Sequence, residues 1–146
     1  MKIKSLSFRS AMATLILSHS MVSCVSANDP PPRNANAELI DLQYKYYMEK
    51  NLEKFLSLYD DKAEVCFYPA KKCYQGIDEV RALYKDFFGK FTIIEVSISN
   101  REIFTNMIKD IETVRVSNGA KSIEKGGISI YTVRNQKITM LHIYAK

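Results

Sequence analysis

Hydrophobic positions along this chain follow two periods, and the change of period marks out its parts. In three segments they return every three or four residues, the spacing of one helical face. Ala37 to about Lys50 carries Leu39, Ile40, Tyr44, Tyr46 and Tyr47 in this way. Asn34 or Asn36 is placed to cap that helix, and Glu38 lies near its positive end. Asn51 opens a short second helix, Leu52 to Tyr59, with Leu52, Phe55, Leu56 and Tyr59 inward. Ile77 to Phe88 forms a third, with the stripe Ile77, Val80, Leu83, Tyr84, Phe87 and Phe88, and with Phe91 just beyond it.

Elsewhere the pattern is that of strands. Ala63 to Tyr68 is one, and Gly76 ends the short strand that follows. Thr92–Asn100 alternates, with Ile94, Val96 and Ile98 on one face. Glu102–Ser117 is long, and Ser117-Asn118-Gly119 offers an Asn-Gly hairpin turn. Lys121–Val133 follows, with a bulge or bend expected at Gly126-Gly127. Asn135-Gln136-Lys137 turns the chain into a last strand, Ile138–Ala145.

The first 27 residues read as an export signal. Lys2, Lys4 and Arg9 precede a short apolar run, Ala11 to Leu17, and Val25-Ser26-Ala27 places small residues before a cleavage at Asn28. The run is far short of the roughly 20 residues of a membrane span. Met21-Val22-Ser23-Cys24 offers a second route, because it resembles a lipoprotein box in which Cys24 would be acylated. Both routes predict an exported protein, periplasmic or secreted, and membrane-attached only if Cys24 is lipidated. Residues 28–36 (NDPPPRNAN) make an extended, proline-rich linker, and 37–146 make one domain.

Export changes the meaning of the charge. The chain has 21 basic side chains, 16 acidic ones and a formal net charge of +5. The signal holds three of the basic ones, so 21 less three leaves 18 against 16. The remaining lysines are scattered among acids, which argues against nucleic acid as a partner. His142 becomes the one histidine of the exported chain.

Cys66 and Cys73 remain after export. Pro69 suits the second position of a type I turn. A two-residue turn at Pro69-Ala70 would pair Tyr68 with Lys71, Phe67 with Lys72 and Cys66 with Cys73. Directly opposed residues stand roughly 4.5 to 5.5 Å apart at Cα, within disulfide range. A structural disulfide is the expectation, in keeping with an oxidising compartment. A redox pair or a zinc site is the less favoured alternative, since the spacing is not CxxC and one histidine completes no ligand set.

The order helix, helix, strand hairpin, helix, then four strands resembles the nuclear transport factor 2-like superfamily, in its SnoaL-like and ketosteroid-isomerase-like branch. The residues that carry the likeness are Ser57-Leu58-Tyr59-Asp60-Asp61-Lys62-Ala63-Glu64-Val65, Tyr74-Gln75-Gly76-Ile77-Asp78-Glu79-Val80 and Asn135-Gln136-Lys137-Ile138. The likeness spans nearly all of residues 37–146. It implies an α+β, cone-shaped fold: three N-terminal helices packed in a strongly curved, mostly antiparallel sheet. It also suggests a homodimer and a small-molecule pocket in the cone.

The resemblance permits a test of steroid-isomerase chemistry by position. The carboxylate base would fall at Phe67 or Tyr68, the oxyanion-donating tyrosine at Gln43, and the protonated aspartate at about Ser129. Acid–base chemistry of that kind needs carboxylates that these positions lack. The expectation is therefore a cone that binds a small apolar or amphipathic molecule through Gln43, Tyr47, Tyr68, Ser129, Tyr131 and His142. The alternatives are an enzyme that uses His142 as acid/base and a dimerising interaction module. Asp110 and Glu112 share one strand face and could hold a metal or activate water, but exposed charges paired across to lysines are the favoured reading. Of Tyr44, Tyr46 and Tyr47, two are expected in the core. No cofactor or metal is expected: the chain has no phosphate loop, GxSxG, HExxH or nucleotide fingerprint.

Overall fold

The computed structural model describes residues 34–146. The signal, Cys24 and most of the linker lie outside the described residues. The order of elements is α1 (Ala35–Met48), α2 (Leu52–Leu56), β1 (Tyr59–Tyr68), β2 (Lys72–Gln75), α3 (Ile77–Lys90), β3 (Thr92–Ile103), β4 (Met107–Ser117), β5 (Ser122–Arg134) and β6 (Lys137–Ala145). Asn34 caps α1, its side chain accepting from the Asn36 and Ala37 amides. Helix therefore begins inside the segment read as linker. Asn51 caps α2 in the same way.

The strands form one curved, unclosed sheet in the order β2-β1-β6-β5-β4-β3. All pairings are antiparallel except β1 with β6. Helix α1 lies against β3 and β4, while α3 lies against β1 and β2. Between helices and sheet sits the core, where Ile40, Phe55, Val65, Val80, Ile108, Ile138 and Leu141 are all nearly or fully excluded from water. Phe55 is its aromatic centre, with ring centroids of Tyr84 at 4.4 Å and Tyr59 at 5.1 Å.

The turns show where local reading fails. Cys66 pairs with Cys73 and Phe67 with Lys72, as the expected register requires, and the two sulfurs are bonded. The turn between them differs from the type I expectation: Tyr68–Pro69 is cis, and Lys71 has φ 53°. At the β4–β5 turn, Gly119 (φ 86°) stands at the first central position, and Asn118 lies beside the turn rather than at its centre. Its side chain accepts from the amides of Ala120 and Lys121. Asn135 and Gln136 both have positive φ and form the tight turn between β5 and β6.

Gly126-Gly127 is not a bulge, because pairing with β4 runs through it without a shift. A Cβ on Gly127 would lie 2.7 Å from the Tyr144 carbonyl oxygen. Close approach of β6 accounts for the glycine. Register shifts fall elsewhere, and two of them are in β3, between Ile93 and Glu95 and between Ile98 and Asn100. They disrupt the expected face of Ile94, Val96 and Ile98: Ile94 and Ile98 are exposed, and Ile93 is the buried residue.

The disulfide closes a loop of sequence separation seven. Replacing both cysteines by serine (Cys66→Ser with Cys73→Ser) is expected to lower stability by about 2–3 kcal/mol, through freedom returned to the unfolded chain. Denaturation midpoints with and without reductant check this. An unchanged midpoint would mean that the crosslink adds nothing to stability.

Candidate functional site

Concave sheet and helices enclose a cavity of about 400 Å³. Helix α1 supplies Gln43 and Tyr44, and Tyr47 one helical turn further on. Leu83, Tyr84 and Phe87 come from α3, and Phe91 follows it. The sheet side is built from alternate residues of β4, β5 and β6, and Phe67 of β1 joins them. Most of the wall is apolar. Its polar groups gather on one side.

That side holds a chain of hydrogen bonds. Asp41 of α1 accepts from Arg101 at 2.6 Å. Arg101 grips Asp110 with two bonds, Nε to Oδ1 at 2.7 Å and a terminal nitrogen to Oδ2 at 2.8 Å. The Tyr44 hydroxyl lies 3.1 Å from Asp110 and 2.6 Å from Glu112 Oε2. It has a single proton, and the shorter contact takes it. Ser129 donates to Glu112 Oε1 at 2.5 Å. Beside this chain, Tyr131 donates to Gln43 Oε1 at 3.4 Å.

Asp110 is fully buried and lies behind the wall, whereas Glu112 faces the cavity. Neither pairs across to a lysine, as the sequence reading favoured. Lys109 pairs with Glu102, and Arg115 with Glu95, on the other face of β4. The register shift at Ile98/Asn100 brings Arg101 opposite Asp110. A signal for this was present: Ile108, Val114 and Val116 share the period-two face of Asp110 and Glu112, which marks that face as the inward one.

The phenols here are donors. Burial pushes the Tyr44 hydroxyl far above its ordinary value, and the Glu112 and Asp110 carboxylates push it further. Burial likewise raises Tyr47, Tyr84 and Tyr131 well above the usual range. All four stay protonated at neutral pH, so the carboxylate is the only anionic group on the cavity wall among the described residues.

Of the residues expected to bind ligand, Gln43, Tyr47, Ser129 and Tyr131 meet in this cavity. Tyr68 and His142 do not. Leu141, Ile143 and Ala145 of β6 face inward, which sends Met140, His142 and Tyr144 to the opposite face. There the His142 Nε2 lies 3.1 Å from Glu64, and Tyr68 stacks on Tyr144 at 4.7 Å. Phe67 takes the inward position beside Tyr68. Tyr44 and Tyr47 line the cavity, while Tyr46 lies under the Lys54 ammonium.

No family model and no curated protein matches this chain. Solved structures do. A computationally designed 17-OHP binder superposes with a TM-score of 0.71 at 15% identity, covering 77% of this chain and 93% of that one. An LEH-like epoxide hydrolase of M. tuberculosis gives 0.70 at 12% identity, covering 77% and 83%. An NTF-2 like protein of unknown function from Burkholderia xenovorans gives 0.65 at 15%, also covering 77% and 83%. The fold is NTF2-like. At such identities the likeness is one of architecture, and an NTF2-like architecture hosts many functions.

Proposed function

We propose that this chain is an exported NTF2-like domain whose cone binds a small apolar or amphipathic molecule, without steroid-isomerase chemistry. The observation that carries the reading is the cavity itself: about 400 Å³ of mostly apolar wall, with Gln43, Glu112, Ser129 and four tyrosines converging on it. A designed protein of the same fold, described as a 17-OHP binder, supports a cone of this size as a binding site.

Phe67, one of the two positions where the resemblance places a carboxylate base, lies at the cavity, and Ser129 stands at about the place of the acid. Glu112 does bring a carboxylate into the cone, from a different strand. It already accepts from Tyr44 and Ser129, and no second acid lines the wall among the described residues. His142 faces away from the cavity, which disfavours the reading of it as acid/base.

The test is a titration with the neutral apolar dye Nile red. Binding of one dye per chain is expected, and it should be lost when Leu83→Trp fills the cavity. Absence of saturable binding in the wild-type protein would sink the reading, and turnover of a Δ5-ketosteroid would sink its non-isomerase half. Intact mass of the exported protein separates cleavage before Asn28 from acylation at Cys24.

A second reading concerns assembly. On the sheet face opposite the cone, Ile111, Ile128, Ile130 and Met140 are half-buried and Tyr144 is exposed. This apolar surface supports pairing of two copies, which sedimentation equilibrium would detect.

A further inference from the structure

We infer that the molecule taken by the cone carries a basic amine, seated against Glu112. The inference rests on the cone being a binding site, and it names the chemistry of the ligand.

The argument begins with charge. Asp41, Asp110 and Glu112 follow one another along the network, with Arg101 as their single cation. Arg101 is committed to the first two: it lies within ion-pair distance of Asp41 and Asp110, and among the described residues no cation lies within that distance of Glu112. Lys125 also lines the cavity, but it is exposed and lies in no ion pair among the described residues. Glu112 is thus a half-buried carboxylate without a counter-charge. A carboxylate in such a place gains most from a partner that is both a cation and a hydrogen-bond donor.

Hydrogen-bond polarity points the same way. Tyr44 and Ser129 direct their protons to Glu112, and Tyr131 directs its proton to Gln43. Three hydroxyls of the polar side are thereby engaged as donors. Each Glu112 oxygen takes one of those protons and keeps further accepting capacity. The polar side of the cone therefore offers acceptors, and an ammonium N–H fits it better than a carbonyl or a carboxylate does. Repulsion from Glu112 disfavours an anionic group on this side of the cone.

The rest of the wall suits the same class. Tyr47, Tyr84, Phe87, Phe91 and Phe67 surround the cavity. Aromatic faces tolerate and attract an ammonium, and they cover an apolar body. The ligand class is an aliphatic amine attached to an apolar group small enough for the cavity.

Calorimetric titration at neutral pH with two matched probes, phenylbutylamine and phenylbutanol, tests this. The wild-type protein is expected to bind the amine about tenfold more tightly than the alcohol. In Glu112→Gln that ratio is expected to fall to about one. Equal affinities in the wild type overturn the inference, and so does a preference that survives Glu112→Gln. In both cases alcohol binding leaves the cone reading in place. Nile red binding without binding of either probe overturns the amine inference alone. If neither the dye nor the probes bind, the cone reading fails and this inference falls with it. The wild-type ratio decides the matter by itself if the variant does not fold.

Discussion

Arg101→Met is expected to cost about 3–5 kcal/mol of stability, because it strands a buried carboxylate. Asp110 is wholly shielded from solvent, and both of its oxygens accept from the Arg101 guanidinium. Methionine keeps much of the arginine's aliphatic bulk, so the loss is one of charge and hydrogen bonds rather than of packing. Removing the charge on both sides should return part of the loss. The double variant Arg101→Met with Asp110→Asn is expected to be more stable than Arg101→Met alone, with a coupling energy of about 1–3 kcal/mol. Urea denaturation of the four proteins in the cycle measures it. Additive effects would mean that Arg101 acts through Asp41 or through packing. The consequence for the site is direct, because Asp110 and Glu112 flank the Tyr44 hydroxyl and the network holds the cone's polar side in place.

Phe55→Ala is the second large effect, expected at about 3–5 kcal/mol. Phe55 is fully buried, and its ring lies within 6.2 Å of those of Tyr47, Tyr59, Tyr84 and Phe88. Truncation removes the common neighbour of four aromatic rings. Phe55→Leu should cost less, about 1 kcal/mol, since it keeps more of the volume. Thermal denaturation ranks the two. Tyr47 and Tyr84 also line the cavity, so Phe55→Ala is expected to weaken Nile red binding as well. Unaltered dye affinity would show that the wall stands without support from α2.

Much of this architecture was legible because local chemistry and the final fold agree. In α3, Val80, Tyr84 and Phe88 are buried, and Ile77, Leu83 and Phe87 pack against the same core, as the helical period requires. Cys66 and Cys73 met because a short turn fixes register. Asn118-Gly119 was misread because dipeptide preference does not say which residue takes the turn's first central place. Strand alternation sorted Asp110 with Glu112, and Ile108, Val114 and Val116 mark their shared face as inward, but it could not show what would neutralise a buried carboxylate there. Burial of that face depends on Arg101, which reaches Asp110 only through the irregular pairing of β3 with β4. His142 and Tyr68 lie off the cavity because a strand has two faces, and one residue of error exchanges them.

The parallel pairing of β1 with β6 carries a consequence for how the chain acquires its shape. β6 is inserted between β1 and β5 and joins the helical end of the sheet to the meander. Cys66 meets β2 within a few residues, yet on its other side it waits for His142. Such distant pairing is slow to form. Until β6 arrives, one flank of β1 lies open, and the nascent molecule is most vulnerable to self-association during that interval.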